Sequence, residues 1–335
     1  MKHYWGYRID VNNASFFWNE LQNGRLRQGW GYDNGQDLNN MTVDEGAGRN
    51  RRMLDVKKGD ILLVPRIHRW DEVSIVEATE DWDKGYRFEI DEKLCDYGHI
   101  FPARCLRHFK RNSPIITGEV RSSLHNPMRF WNMDYYSKSI DAIVESDQDK
   151  LLEIQSLDER FKSTIIKVYE SLFDSNSFSS QLFDIMCKQF SRDEWEYALI
   201  AGLKLLYPKP YFRVERTGGV SECLHGTDIT VSFKSIVSET EYVIAIQVKD
   251  YEGFVSGDVI SQINKASEYF KEQNKVLVDK IVIITKAQRD DNHKLLENCG
   301  DVKIIFANEL KTLLSLMGRQ YISEGYLNVN RDEDC

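Results

Sequence analysis

The sequence predicts a mixed α/β protein in which a small β-barrel and a helical connector precede a core of helix-strand-strand-strand-helix-strand order with a mixed sheet. Three observations predict this. Short aromatic-rich strands run through residues 1–112, apolar residues recur at helical spacing over about 138–190, and buried strands alternate with helical patterns over 191–320. The region 113–190 is therefore an irregular and then helical connector, and 321–335 is a polar tail.

The predicted barrel carries five of the seven tryptophans of the chain. Gly59-Asp60 opens one strand, and Gln28-Gly29-Trp30-Gly31 forms a glycine-rich turn after a helical piece over 14–21. Many short strands with few helices are typical of a small barrel. The strands are expected near residues 4–9, 61–64, 73–78, 86–90 and 103–109.

The connector and the core follow from periodicity. Phe161, Ile165 and Val168 recur at helical spacing, whereas Pro114 and Pro127 mark irregular chain before them. In the core, helices are predicted over 191–207, 257–274, 292–298 and 308–317, and strands over 211–215, 228–233, 242–250, 280–285 and 302–306.

Composition limits the classes of function. The 335 residues suit two or three domains, and 41% hydrophobic with 29% charged residues is a globular composition. Charges balance within residues 1–112, so the net charge of −9 arises in the remainder, which excludes a wholesale basic coat for nucleic acid. No apolar run approaches the ~20 residues of a membrane span, and the first residues lack the apolar segment of a signal peptide. Six cysteines form no CxxC pair, which predicts reduced thiols and a cytoplasmic protein.

Polar residues interrupt one face of two neighbouring apolar strands. Gln247 and Lys249 share a face of the strand predicted over 242–250. Asp228 opens the preceding strand, so a hairpin would place its carboxylate beside them. Glu196 lies on the inner stripe of a helix that starts with the capping-box pattern Ser191-Arg192-Asp193-Glu194, so it is expected to border the sheet.

An acid, an amide and a lysine at one sheet edge suit phosphodiester hydrolysis. Magnesium prefers hard oxygen ligands, which Asp228, Gln247 and the Val248 carbonyl group supply. Glu196 would bind the same ion directly or through water. Lys249 would orient or deprotonate the attacking water and stabilise charge on the phosphate. Taken singly, each residue is more typical of an ordinary turn, strand-end or helix role, and only their combination indicates a site.

The order Glu196, Gly226-Thr227-Asp228-Ile229 and Gln247-Val248-Lys249 resembles the PD-(D/E)xK nuclease superfamily, closest to its Mrr-like restriction endonuclease branch with a QxK variant. The resemblance covers about 191–318. It implies a restriction-endonuclease-like fold, metal binding by Asp228 and Gln247, a catalytic Lys249, a supporting Glu196, and Mg²⁺ or substituting Mn²⁺ as cofactor. The chain departs from the family at Leu224-His225, where an additional acid is common, and the uncharged Gln247 leaves a weakened or inactive domain open.

Residues 1–112 weakly resemble PUA-like barrels, including the EVE group, through Arg27-Gln28-Gly29-Trp30-Gly31 and Lys57-Lys58-Gly59-Asp60-Ile61. That resemblance implies a pocket for a modified base or RNA, in which aromatic rings stack on an extruded base. Most of the tryptophans are expected in the barrel core, and a solvated loop is the default for the arginines near 49–52. The residues predicted to contact nucleic acid are Trp30, Asp33, Arg51, Arg52, Arg69, Trp70, Trp82 and His225.

The expected function is a metal-dependent DNA endonuclease of modification-dependent, type IV-like restriction, which defends against phage. One site per chain implies a homodimer for cutting both strands of duplex DNA. Two alternatives stay open: a non-cleaving reader of modified bases or nucleic acid with a degenerate nuclease fold, and a nuclease for DNA repair or branched DNA.

Overall fold

The computed structural model describes residues 2–42, 50–171, 178–218 and 222–332. The chain is a mixed α/β protein, as predicted, and it forms two compact units that divide between residues 155 and 156. The elements predicted as a connector are thus shared between the two units. Among the described residues, no helix combines the length and the apolar character needed to cross a bilayer.

The first unit is built on one seven-stranded sheet of order β2-β6-β4-β3-β1-β7, with β5 paired to β6. Its strands are β1 (Tyr4–Tyr7), β2 (Arg25–Gln28), β3 (Ile61–Pro65), β4 (Glu72–Ala78), β5 (Arg87–Phe88), β6 (His99–Lys110) and β7 (Phe130–Asn132). Its α-helices are α1 (Ala14–Gln22), α2 (Trp82–Gly85), α3 (Gly118–Ser123), α4 (Ser137–Glu145) and α5 (Gln148–Leu152).

Both faces of this sheet are buried, and the alternation of side chains explains why. Leu62 and Val64 pack with Phe17 of α1 on one face, whereas Ile61 and Leu63 pack on the other face against the helices that follow β6. The compact unit therefore extends beyond the predicted limit of residue 112. The described strands show no pairing between β2 and β7, and the sheet curls as a half-barrel.

The second unit contains a five-stranded sheet of order β12-β11-β10-β9-β8. Its strands are β8 (Phe212–Arg216), β9 (Ile229–Lys234), β10 (Glu241–Lys249), β11 (Val276–Ile284) and β12 (Val302–Ile305). Its helices are α6 (Leu157–Ser171), α7 (Phe178–Gln189), α8 (Glu194–Leu206), α9 (Glu222–His225), α10 (Asp258–Glu272), α11 (His293–Glu297) and α12 (Ala307–Asp332).

The sheet is mixed because β8, β9 and β10 pair antiparallel, whereas β10, β11 and β12 pair parallel. Helices α6, α7, α8 and α12 cover one face, and α10 covers the other. The element order agrees with the predicted helix-strand-strand-strand-helix-strand core, with the short α9 added. Helix α12 runs on to Asp332, and Tyr321 and Ile322 pack against the core, so the predicted polar tail is largely helical.

Candidate functional site

The candidate site lies where β9 and β10 stop pairing. Their regular register ends at Ile229 opposite Ile246. Asp228 extends the strand by donating its N–H to the Ile246 carbonyl (2.9 Å), and its Oδ2 then accepts the Val248 N–H at 2.7 Å. The carboxylate thus accepts the hydrogen bond that a strand carbonyl would otherwise accept, at the residue between Gln247 and Lys249. The predicted hairpin geometry is therefore present.

Gly226 sets the path of the chain into Asp228. It has a φ of +62°, and a Cβ atom there would lie 2.0 Å from the Gln262 carbonyl oxygen on α10. Only glycine permits both the left-handed backbone and this close approach. The Gly-Thr-Asp sequence consequently holds the start of β9 against α10.

Gln247 is fully buried on the β10 face that packs against α10. Its Nε2 donates to Gln262 Oε1 at 2.8 Å. Its Oε1 is also buried and accepts no hydrogen bond from any described residue. A buried amide oxygen without a donor costs about 1–3 kcal/mol, so this atom favours the presence of a cation or another donor.

Glu196 occupies the first turn of α8 and is buried, because the stripe of the helix that contains it packs on the sheet. Its Oε2 accepts a hydrogen bond from Arg216 Nε at 2.7 Å, and the Arg216 guanidinium also lies 4.7 Å from the centre of the Tyr197 ring. Burial lowers the pKa of Arg216, but the hydrogen bond and charge of Glu196 outweigh it and raise that pKa overall. Glu194 binds the Ser191 N–H, as the capping-box pattern predicts.

Glu196 and Asp228 converge at Gly218. A Cβ atom placed on Gly218 would lie 3.1 Å from Glu196 Oε2 and 3.5 Å from Asp228 Oδ1. The Gly218 N–H also donates to the Asp228 carbonyl at 3.2 Å. Two carboxylates from distant parts of the sequence therefore border one small space beside a residue without a side chain.

Lys249 is the last residue of β10 and is partly exposed. Alternation puts it on the same face as Gln247, and its carbonyl accepts the Thr285 N–H at 3.0 Å. The backbone of Lys249 is thus held by the sheet, one residue after Val248, whose N–H binds the Asp228 carboxylate.

His225 lies two residues before Thr227 and is buried. Its Nδ1 accepts the Thr227 N–H at 3.1 Å, and its ring lies 4.8 Å from that of Tyr269 on α10. These contacts brace the turn that leads to Asp228. A phosphate contact of His225 stays a prediction.

The donor set fits a hard divalent cation. Asp228 and Glu196 supply carboxylate oxygens, and Gln247 supplies a buried amide oxygen, which are the ligands that Mg²⁺ prefers. The set holds two acids and one amide; within the described residues, no three His, Cys, Asp or Glu side chains gather as metal ligands. Bound metal would place a positive charge against carboxylates whose burial is otherwise costly.

Trp30 lies in the first unit at the wall of a cavity of about 400 Å³. Its φ of 71° is strained for a tryptophan, and its ring stacks on His99 with 6.0 Å between centroids. The polar and aromatic side chains that share the cavity wall are Arg8, Asp10, Gln28, Asp96, Tyr97 and Arg129. Burial and a hydrogen bond to Asp10 raise the pKa of Tyr97 to about 12, while that hydrogen bond lowers the pKa of Asp10.

Trp70 and Arg69 lie in the exposed connection between β3 and β4. The indole of Trp70 is 68% exposed, and the Arg66 guanidinium lies 4.2 Å from its ring centre. An exposed aromatic ring beside cationic side chains is a surface that suits base stacking and phosphate contact.

The other predicted contacts of the first unit have structural partners. Asp33 caps the short helix Asn34–Gln36, Arg51 donates to the Leu38 carbonyl, and exposed Arg52 lies 5.9 Å from the Trp5 ring centre. Trp82 is fully buried, stacks on Phe101 at 4.4 Å and donates to the Pro102 carbonyl. Its indole therefore belongs to the core and not to a surface that could contact a base, which corrects that prediction.

Several residues of the two sites were not selected from the sequence. Arg216 ends β8, directly before the Thr217 N–H that bonds to the Asp228 carbonyl, so the β8–β9 register would have placed it at the site. Tyr97 and its neighbour Asp96 follow a turn with no local motif. Gln262 bonds to Gln247 because α10 approaches Gly226 so closely.

Comparisons with known proteins identify distant structural similarity only. No family model matches the chain, and no curated protein matches it either. Similar solved structures include the restriction endonuclease FokI, with 11% identity, a TM-score of 0.29, and coverage of 52% of this chain and 32% of that chain. The chain thus spans about a third of the FokI chain.

Two further solved structures are similar over more of the chain. The DNA modification-dependent restriction endonuclease AspBHI is 12% identical, with a TM-score of 0.26 and coverage of 88% of this chain and 73% of that chain. The MspJI restriction endonuclease in complex with a 27-mer oligonucleotide is 12% identical, with a TM-score of 0.22 and coverage of 91% and 72%. At such low scores, the geometry of the site has to support the function.

Proposed function

We propose that the chain is a metal-dependent DNA endonuclease with a PD-(D/E)xK, Mrr-like site in its second unit. One observation supports this most strongly: the Asp228 carboxylate accepts the Val248 N–H between Gln247 and Lys249, while Glu196 approaches the same carboxylate at Gly218. Acids, an amide oxygen and a lysine at a strand end are the groups that phosphodiester hydrolysis requires.

The residues take distinct roles in this proposal. Asp228, Gln247 and Glu196 would hold Mg²⁺, or Mn²⁺ in its place, which when bound neutralises phosphate charge and lowers the pKa of a water molecule. Lys249 orients that water and stabilises charge on the phosphate. Arg216 holds Glu196 in place from the edge strand.

The first unit would supply selection of the substrate. We infer that its cavity beside Trp30 accepts a modified base extruded from duplex DNA, because aromatic and hydrogen-bonding groups line a space within the size range of small-ligand sites. This makes the protein a modification-dependent, type IV-like restriction endonuclease in antiviral defence. Two copies would act together in the cytoplasm to cut both strands of duplex DNA.

A second candidate function is a nucleic-acid reader that does not cleave. The hydrogen bond between Glu196 and Arg216 favours it, because an acid held by a guanidinium is less available to a metal ion. The uncharged Gln247 acts in the same direction. Cleavage of DNA by the full-length protein separates the two functions.

The first prediction concerns cleavage. Asp228→Asn keeps an oxygen acceptor for the Val248 N–H but removes the charge, and Lys249→Ala removes the ammonium group. We expect either change to lower the cleavage rate at least about 100-fold with Mg²⁺, a loss of ~2.7 kcal/mol of transition-state stabilisation. The measurement uses plain, modified and branched DNA substrates. Asp279→Asn, on the same sheet in an ion pair with Lys303, is the matched control and should cleave normally.

The results of the cleavage assay distinguish the candidate functions. Cleavage of modified DNA alone supports modification-dependent restriction, whereas cleavage of plain or branched DNA points to a repair nuclease. Binding without cleavage in the unaltered protein supports the reader. Full activity of Asp228→Asn or Lys249→Ala contradicts the proposed site.

A further inference from the structure

A groove of about 950 Å³ runs along the free edge of the second unit's sheet. One wall is α8 and the other is β8, which has a partner strand only on its β9 side among the described strands. Lys209 and Pro210, in the connection between α8 and β8, also line the groove. None of the site residues predicted from the sequence lines this groove.

The rim of the groove is basic although the chain as a whole is acidic, with a net charge of −9. Lys204, Lys209, Arg213 and Arg216 all line it. Glu215 is the single acid among the lining residues, and it forms an ion pair with Arg213 at 2.8 Å. Such a concentration of cations attracts phosphate groups.

The floor of the groove is apolar and aromatic. Tyr207 and Phe212 meet edge to face at 5.1 Å between ring centroids, and Ile200 and Val214 complete the floor. Tyr197 stays 40% exposed at the wall. Aromatic surface beneath a cationic rim matches an unpaired nucleic-acid strand, whose bases stack while its phosphates meet the cations. A duplex keeps its base faces inside the stack and would leave this floor unused.

The groove leads to the candidate catalytic site. Arg216 lines the groove and donates to Glu196, and the Thr217 N–H bonds to the Asp228 carbonyl at 2.8 Å. A strand lying in the groove would therefore reach the two carboxylates without leaving the surface of the unit.

We propose that this groove binds an unpaired segment of a DNA strand next to the phosphate that is cut. The inference rests on the proposed nuclease function and deepens it, since it assigns to the second unit its own contact with a separated strand. It adds Lys204, Lys209 and Arg213 as phosphate contacts of that strand.

The test measures binding to a fluorescent 12-nucleotide oligo(dT) in EDTA, where no cleavage occurs. Lys204→Glu/Arg213→Glu in the full-length protein should weaken binding at least 10-fold. Affinity falls as salt rises, and Lys204→Gln/Arg213→Gln should make the slope of log affinity against log salt less steep by about 1.4, because each phosphate contact on a single strand contributes ~0.7. Lys271→Glu, an exposed lysine of α10 on the other face of the sheet, is the matched control and should bind normally.

The proposal would be overturned if both double variants bound the oligonucleotide with the affinity of the unaltered protein, while their circular dichroism spectra and melting temperatures were also unchanged. It would also be overturned if the variants changed only the sedimentation of the protein, since the groove would then bind a second copy of the chain. If these variants bind and cut DNA normally, only the assignment of the groove is contradicted, and the proposed nuclease function stands. If the unaltered protein neither binds nor cuts any DNA, the proposed nuclease function is contradicted as well.

Discussion

The two units hold their candidate functional residues in different ways. In the second unit, Asp228 and Gln247 are buried and tied to the sheet and to α10. In the first unit, Trp70 and Arg69 project from an exposed loop, and Trp30 lies at the wall of an open cavity. The second unit thus holds the residues of its candidate site through the contacts of its fold, whereas Trp70 and Arg69 of the first unit are surface groups that its fold does not require.

This contrast has a physical consequence for substitutions. A change in the buried site should affect stability and activity together, because the same hydrogen bonds serve both. A change on the surface of the first unit should alter binding with little loss of stability. The remaining predictions test this contrast, beginning with the largest expected effect.

Gly226→Ala should cause the largest loss of stability. A Cβ atom would meet the Gln262 carbonyl oxygen at 2.0 Å, and the φ of +62° adds ~1–2 kcal/mol for a left-handed alanine. Overpacking adds about 1–3 kcal/mol, so the free energy of unfolding should fall by about 2–5 kcal/mol in urea denaturation.

Gly253→Ala is the matched control for this change. Gly253 has a φ of +72°, and a Cβ atom there would have no described atom within 4 Å. It should lose only the ~1–2 kcal/mol of backbone strain. Equal losses at the two glycines would show that α10 does not press on the Gly226 turn.

The same contrast explains what could be predicted from the sequence. The Gln247 and Lys249 interruption of an apolar strand is a local period-two signal, and the order of elements around it follows from periodicity. The hydrogen bond from Arg216 to Glu196 joins two elements through packing, which periodicity does not encode. The juxtaposition of Asp228 with the end of β10 was therefore predictable, whereas the Arg216 contact was not.

The first unit was less predictable for a related reason. Trp82 and Trp70 look alike in the sequence, yet one is fully buried and the other is 68% exposed. Aromatic residues suit both a core and a binding surface, so composition alone cannot separate them. The helices over residues 118–152 pack on the sheet because that sheet has two apolar faces, which makes the unit longer than its strands indicate.

Trp30→Gly should separate binding from folding in the first unit. Glycine relieves the strain of a φ of 71°, which offsets the lost contact with His99, so stability should change by no more than about 1 kcal/mol. Affinity for the preferred modified duplex should fall by about 1–3 kcal/mol, or roughly 5- to 150-fold, if the ring stacks on a base.

Trp70→Ala is the comparison for that variant. Its exposed ring should contribute to all DNA alike, so plain and modified duplexes should weaken by the same factor in fluorescence anisotropy. Trp30→Gly should instead reduce the preference for modified DNA. Identical binding profiles for the two variants would remove Trp30 from the proposed pocket.

The smallest expected effect concerns pH and the wall of that cavity. His99 is buried, its Nδ1 and Nε2 lie 2.9 Å from the Tyr86 hydroxyl and 3.1 Å from the Trp30 carbonyl, and burial lowers its pKa. The folded unit therefore takes up a proton at lower pH than the unfolded chain, whose histidine titrates near ~6.5. The contribution of His99 to the free energy of unfolding is therefore complete above the pKa of the unfolded chain. It is lost as the pH falls below that pKa, by at most ~1.4 kcal/mol per pH unit.

His99→Gln should flatten the dependence of melting temperature on pH between 7.5 and 5.5. Six of the seven tryptophans lie in the first unit, so tryptophan fluorescence follows the unfolding of this unit. His108, whose pKa burial also lowers, should maintain part of the slope. If His99→Gln kept the full slope, then His99 would not be held neutral beside Trp30, and the cavity wall would be no more fixed by the fold than the Trp70 loop.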